Sequence, residues 1–319
     1  MRRLLYISLA LVMVSCFKED TPVQRFDRGG ISEIQIEMGE NYGEQLFYDL
    51  NTNSIVSQNP RTAWDIAFSS VENEKIIKLN SGRFMFAAES NSSKFEEVTD
   101  TAGLKFAWDY PNNKADSQAL YQWELSDKVY VLDMGFDLDQ SSLGFVKIKF
   151  SLVSENEIAF SYMNLDGTNP GSGTLTKNAD YNYVYYSFLD HKQVDIEPKK
   201  EEYDLYFGQY IFYFEVEDKA YYVNGVLLNP HKVEGLTRFK QSYEEISIDD
   251  FTENELSTQA DIIGYNWKYF DFQASRYEIV PDRNFIIKDV EGFYYKLRFT
   301  SFYNKDGIKG YPQMENKKL

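Results

Sequence analysis

Apolar and polar residues alternate with a period of two in segment after segment from residue 31 onward, and this restricts the chain to sheets. Ile34, Ile36 and Met38 alternate with Glu33, Gln35 and Glu37; Trp64, Ile66 and Phe68 alternate with Asp65 and Ala67. A strand puts residues two apart on one face, whereas a helical stripe needs spacings of three and four. Aromatic residues make up 17% of the chain, with 25 Tyr and 24 Phe, and such rings suit a pleated, half-buried surface. Turn residues punctuate the pattern: Asn51-Thr52-Asn53 separates 45–50 from 54–56, and Asn80-Ser81-Gly82 separates 75–79 from 83–87. The expectation is an all-β fold of mainly antiparallel sheets with one or two short helices.

Further strands are expected over 145–150, 157–163, 203–214, 220–228 around Asn224-Gly225, 269–272, 277–280, 285–288 and 293–302. Residues 181–188 carry rings on both faces, as in a strand covered on both sides. The stretch 89–128 is mixed, with Trp108 and Trp123 as anchors and room for a short helix. Residues 240–263 lean helical, with Asp249-Asp250 ahead of Phe251. The charged segment 190–202, containing Pro198, interrupts the sheet pattern and marks where two halves would meet. Trp64-Asp65-Ile66-Ala67-Phe68 and Tyr203-Asp204-Leu205-Tyr206-Phe207 echo each other, but one five-residue match does not establish a repeat.

The N-terminus bears on location. Arg2 and Arg3 precede an apolar run over 4–14, about 11 residues and well short of the roughly 20 that span a bilayer. The run ends at Cys16, the single cysteine. This segment resembles a bacterial lipobox, which implies a signal peptide over 1–15, a lipidated Cys16 and a tether over 16–30. Lys18, Glu19 and Asp20 resemble the Lys-plus-two-acids export signal of Bacteroidetes lipoproteins. The implied location is the outer membrane, lipid-anchored and facing the cell exterior, with outer-membrane lipid as the first partner.

Fifty acidic residues against 33 basic ones give a net charge of −17. A polyanion of this kind repels nucleic acid. Enzyme signatures such as HExxH, GxSxG, CxxC and a phosphate-cradling Gly loop do not occur, and two histidines leave little for a triad or a multi-His metal centre. Asp137-Leu138-Asp139 and Asn304-Lys305-Asp306-Gly307 lack full cation-loop spacing and read as turns. No catalytic residue is assigned, and the chain is not expected to be an enzyme.

The C-terminal stretch Gly292-Phe293-Tyr294-Tyr295-Lys296-Leu297-Arg298-Phe299-Thr300-Ser301-Phe302-Tyr303-Asn304 resembles the closing segment of the HmuY-like haem-binding lipoproteins. Trp64-Asp65-Ile66-Ala67-Phe68, followed by Lys78-Leu79-Asn80-Ser81-Gly82, resembles that family's early motif pair. Residues 100–260 match no motif, so the chain resembles an enlarged member occupying 31–319. The resemblance implies an antiparallel β protein that captures haem from host haemoproteins and hands it to a TonB-dependent outer-membrane receptor. It implies no axial ligand by motif. The candidates available are His191, first because it follows the ring-rich 181–188 segment, then His231, with Met134 and Met163 as alternatives. Two other functions are compatible with the residues: the same fold binding another ligand or partner protein, or a carbohydrate-active surface protein.

Overall fold

The computed structural model describes residues 29–112 and 114–319. The signal segment, Cys16, Lys18, Glu19 and Asp20 lie outside the described residues. Twenty strands follow one another: β1 (Ser32–Gln35), β2 (Glu44–Asp49), β3 (Ser54–Pro60), β4 (Ile66–Ser69), β5 (Ile77–Leu79), β6 (Phe86–Glu89), β7 (Tyr130–Asp133), β8 (Phe145–Ser154), β9 (Glu157–Asn164) and β10 (Gly171–Thr176). Then come β11 (Tyr183–Ser187), β12 (Lys192–Val194), β13 (Leu205–Phe214), β14 (Lys219–Leu228), β15 (Glu234–Phe239), β16 (Lys268–Asp271), β17 (Arg276–Ile279), β18 (Arg283–Lys288), β19 (Tyr294–Tyr303) and β20 (Lys309–Lys318). All ladders between them are antiparallel.

The strands build two lobes of the same plan. In one, the four-stranded sheet β12-β11-β4-β5 packs on the five-stranded sheet β10-β9-β8-β7-β6; in the other, β3-β2-β13-β14 packs on β1-β20-β19-β18-β15. The second lobe is completed by β1, β2 and β3 from the start of the chain, so its sheets join the two ends of the sequence. The short β16-β17 hairpin is an addition to that lobe.

Alternation within single strands explains why the two four-stranded sheets lie at the centre. Ile66, Phe68, Val184 and Tyr186 enter the core of the first lobe, while Ala67 and Tyr185 between them face the second lobe. Likewise Leu46, Tyr48, Leu205 and Phe207 enter the second core, while Phe47 and Tyr206 face the first lobe. Both faces of each central sheet are therefore covered, which accounts for the rings on both sides of 181–188. The stack is four sheets deep. Trp64, Trp123 and Trp267 are all buried, and Trp108 is half-buried against the Tyr213 ring.

Two expectations need correction. Among the described residues, the segments 89–128 and 240–263 contain no α-helix; their helical pieces are three-residue 3₁₀ turns such as Trp123–Leu125 and Ile248–Asp250. Ser247 with Asp250, and Thr252 with Glu255, form capping boxes at the starts of two successive turns, so the acids near Phe251 do begin helical turns, but the backbone is extended again at Phe251 and Leu256 after three residues. β14 runs straight through Asn224-Gly225, as the strand expected over 220–228 requires. A Cβ on Gly225 would lie 2.5 Å from the carbonyl oxygen of Gly264, so this glycine serves a close backbone approach.

β20 contains Pro312 and was not expected. The proline carbonyl accepts the Ile36 N–H at 2.8 Å, and the register against β19 slips beside it, between Ser301 and Tyr303. A bulge accommodates the missing N–H.

Candidate functional site

The pair of motifs near the start of the chain meets in space as a clasp. Asp65 is buried at the entry to β4, where its carboxylate pairs with Arg83 and accepts the Phe188 N–H at 2.6 Å. Burial pushes its pKa up, and the Arg83 charge opposes that rise. Asn80 donates its amide to the carbonyls of Arg61 (2.8 Å) and Trp64 (2.7 Å). These residues hold architecture, leaving ligand chemistry to other parts of the molecule.

Beyond β14 the chain turns through Asn229-Pro230-His231-Lys232, with Lys232 in the left-handed region (φ 63°). Buried Asn229 fixes this turn, its Oδ1 accepting the His231 N–H at 2.9 Å. The His231 ring meets Glu201 through Nε2 at 2.7 Å, and Lys232 Nζ reaches the same carboxylate at 2.8 Å. Hydrogen bonds from Lys232 and His231 hold Glu201 below the ordinary carboxylate pKa. An ionised carboxylate only accepts, so Nε2 carries a proton in this contact, and in the neutral imidazole the lone pair is on Nδ1.

His231 lines a groove of about 820 Å³. Pro230 and His231 form one wall, Tyr183 at the start of β11 another, and Val71, Lys114 and Thr258 contribute from three further segments. The volume lies within the roughly 300–1,000 Å³ of small-molecule and cofactor sites. Tyr183 and Pro230 also line a smaller cavity, of about 130 Å³, that lies between the central sheets. Its wall carries Glu197, whose pKa burial raises to about 7.

The other three candidate ligands lie elsewhere. His191 is exposed at the tip of the β11–β12 hairpin, in a left-handed conformation (φ 52°), with Nδ1 2.7 Å from the Tyr162 hydroxyl. Its ring stacks on Tyr162 at 5.9 Å and 16°. Met134 is buried in the core of the first lobe. Met163, half-buried on β9, points to the face opposite Tyr162. Of the four, His231 alone faces the groove. Among the described residues no group of three or more His, Cys, Asp or Glu side chains is arranged to hold a metal ion. Both cation-loop lookalikes are turns: Asp139 Oδ1 accepts the Ser141 N–H, and Asn304 Oδ1 accepts those of Asp306 and Ile308.

Sequence reasoning singled out His231 but not its surroundings. Tyr183, Lys114 and Glu201 come from distant segments, and nothing local announces that they converge. The one available signal was the echo between Leu79-Asn80 and Leu228-Asn229, each asparagine ending a strand of a central sheet.

Several solved structures are similar to the chain, two of which follow. Apo PinO from Porphyromonas gingivitis has 10% identity and a TM-score of 0.37, with 91% of this chain and 98% of that one covered. The apo HmuY analog of Tannerella forsythia has 8% identity and a TM-score of 0.28, with 92% and 99% covered. No curated protein sequence matches. The HmuY protein family, however, matches residues 41–315, from the start of β2 through most of β20, and the chain therefore belongs to the HmuY family.

Proposed function

We propose that this protein captures haem at the cell surface, in the groove beside His231. The observation that carries the haem reading is the family match over 41–315, together with the haem capture that resemblance to this family implies. Geometry supports the choice of groove. Haem needs flat apolar walls, an axial donor and cations for its propionates. Tyr183 and Pro230 supply walls, His231 offers a lone pair oriented through Glu201, and Lys114 supplies an ammonium group in a chain of net charge −17.

On this reading the acylated Cys16 anchors the protein, and Lys18, Glu19 and Asp20 direct it to the outer face of the outer membrane. Host haemoproteins are the source of haem and a TonB-dependent receptor is the recipient. Titrating the purified chain with haemin tests the core of the proposal. A sharp Soret band saturating at one haem per chain is expected; no Soret change at stoichiometric haemin would overturn it and leave the fold to serve another ligand.

A further inference from the structure

The small cavity behind Tyr183 and Pro230 has chemistry unlike that of the groove. It lies where the two central sheets face one another, and matching ring pairs wall it from the two lobes. Phe47 meets Tyr203 edge to face (5.0 Å, 85°), and Trp64 meets Tyr185 in the same way (5.0 Å, 80°). Aromatic faces carry partial negative charge and attract cations. A carboxylate stands among them: Glu197, buried, accepts the Tyr183 N–H at 2.6 Å and the Tyr203 hydroxyl at 3.2 Å.

Two more lining residues each carry a buried polar atom with no hydrogen-bond partner in the protein: Gln118 Oε1 and the Tyr210 hydroxyl oxygen. These residues are 6% and 3% exposed. The first atom can only accept, and the second is able to. Native proteins rarely leave such groups unmet, so the cavity is matched to an occupant rich in N–H or O–H donors. The cation of the lining, Lys78, lies over the Tyr183 ring at 4.6 Å.

We propose that this cavity binds a small organic ammonium ion. Its N–H groups satisfy the orphaned oxygens of Gln118 and Tyr210, and its charge is met by the ring faces and Glu197. An apolar cavity of roughly 150 Å³ accommodates benzene. At about 130 Å³, the site admits an alkylammonium of about six heavy atoms. Haem is far too large for this space, so the inference stands apart from the haem reading.

The test is calorimetric titration of the haem-free chain with n-pentylammonium and, separately, with its neutral isostere n-pentanol. The ammonium is expected to bind at least about tenfold tighter than the alcohol. Gln118→Leu should remove about tenfold from ammonium affinity while leaving the alcohol within about twofold. Should that variant fail to fold by near-ultraviolet circular dichroism, Tyr210→Phe tests the same demand from the opposite lobe. Equal or tighter binding of n-pentanol would overturn the proposal. So would the absence of saturable ammonium binding, which would mark the cavity as a water site.

Discussion

Asn80 and Asn229 make the same set of hydrogen bonds in the two lobes. Each backbone N–H donates to the carbonyl of an aspartate at a strand entry, Asn80 to Asp65 at 3.0 Å and Asn229 to Asp204 at 2.8 Å. Each side-chain amide donates to the carbonyls four residues and one residue before that aspartate: Arg61 and Trp64 at 2.8 and 2.7 Å, Lys200 and Tyr203 at 2.8 and 2.7 Å. The aspartates match as well, Asp65 accepting the Phe188 N–H and Asp204 the Leu50 N–H. The echo between 64–68 and 203–207 therefore marks equivalent positions. Asn229 does two things more: its Oδ1 accepts the His231 N–H and the amide of Asn182 from the first lobe, both at 2.9 Å, and the second bond ties the lobes together beside the groove.

Replacing either asparagine with alanine strands two buried carbonyls. Asn80→Ala and Asn229→Ala should each cost about 2–4 kcal/mol in urea unfolding. Asn229→Ala should also weaken haemin binding by loosening the His231 turn, whereas Asn80→Ala should leave haemin affinity unchanged once the protein is folded.

The indoles differ in how much packing they support. Trp267 is 1% exposed and stacks on Phe299 at 4.0 Å and 17°, while Trp64 is 9% exposed and lines the small cavity. Trp267→Ala should cost about 3–5 kcal/mol, and Trp64→Ala should fall at the lower end of that range. Urea unfolding of the two variants side by side checks the order.

Buried carboxyls set the acid side of the stability profile. Burial raises Asp204 from 3.8 to about 7 and Glu197 from 4.5 to about 7. Each folded-state pKa lies above its unfolded value. The stabilisation is thus complete below the unfolded pKa and is lost as pH rises through about 7. Asp204→Asn should flatten the decline in melting temperature between pH 4 and about 7 relative to the parent chain. An unchanged slope would contradict the assignment.

Lys268 acts in the opposite direction. Its amine is buried without an acidic partner, donating to the Asn224 carbonyl at 2.8 Å over the Trp267 and Phe302 rings, and burial lowers its pKa from 10.5 to about 7. The unfolded chain binds this proton more readily, so stability should rise with pH from about 7 to 10.5. Lys268→Met should abolish that rise, as read from melting temperature across the same range.

The proposed anchor makes its own prediction. Cys16→Ala should leave a soluble or uncleaved protein, and replacing Lys18, Glu19 and Asp20 with Ala should keep the lipid while losing protease-accessible surface protein. An unchanged surface pool in the triple variant would rule out the export role.

Burial alternates at Ile34, Ile36 and Met38 as the sequence pattern implies, because burial on one face writes itself into every second residue, although β1 itself ends at Gln35. β20 was hidden because Pro312 and Gly310 read as turn residues, and only its two neighbouring strands supply the pairing that holds it. The 240–263 segment misled because its acids do start helical turns, capped at Ser247 and Thr252, yet the backbone is extended again at Phe251 and Leu256 after three residues. His231 was identifiable as a histidine at a strand end. Its groove was not, since Val71, Lys114, Tyr183 and Thr258 converge only through the packing of two lobes.

The most direct test of the account is a spectroscopic haemin titration of the wild-type chain beside His231→Ala and His191→Ala. The wild type should give a sharp, saturable Soret band. His231→Ala should alter the spin-state bands and weaken binding by about tenfold or more, and His191→Ala should match the wild type. No Soret change in the wild type, or a His231→Ala spectrum identical to it, would contradict haem capture beside His231.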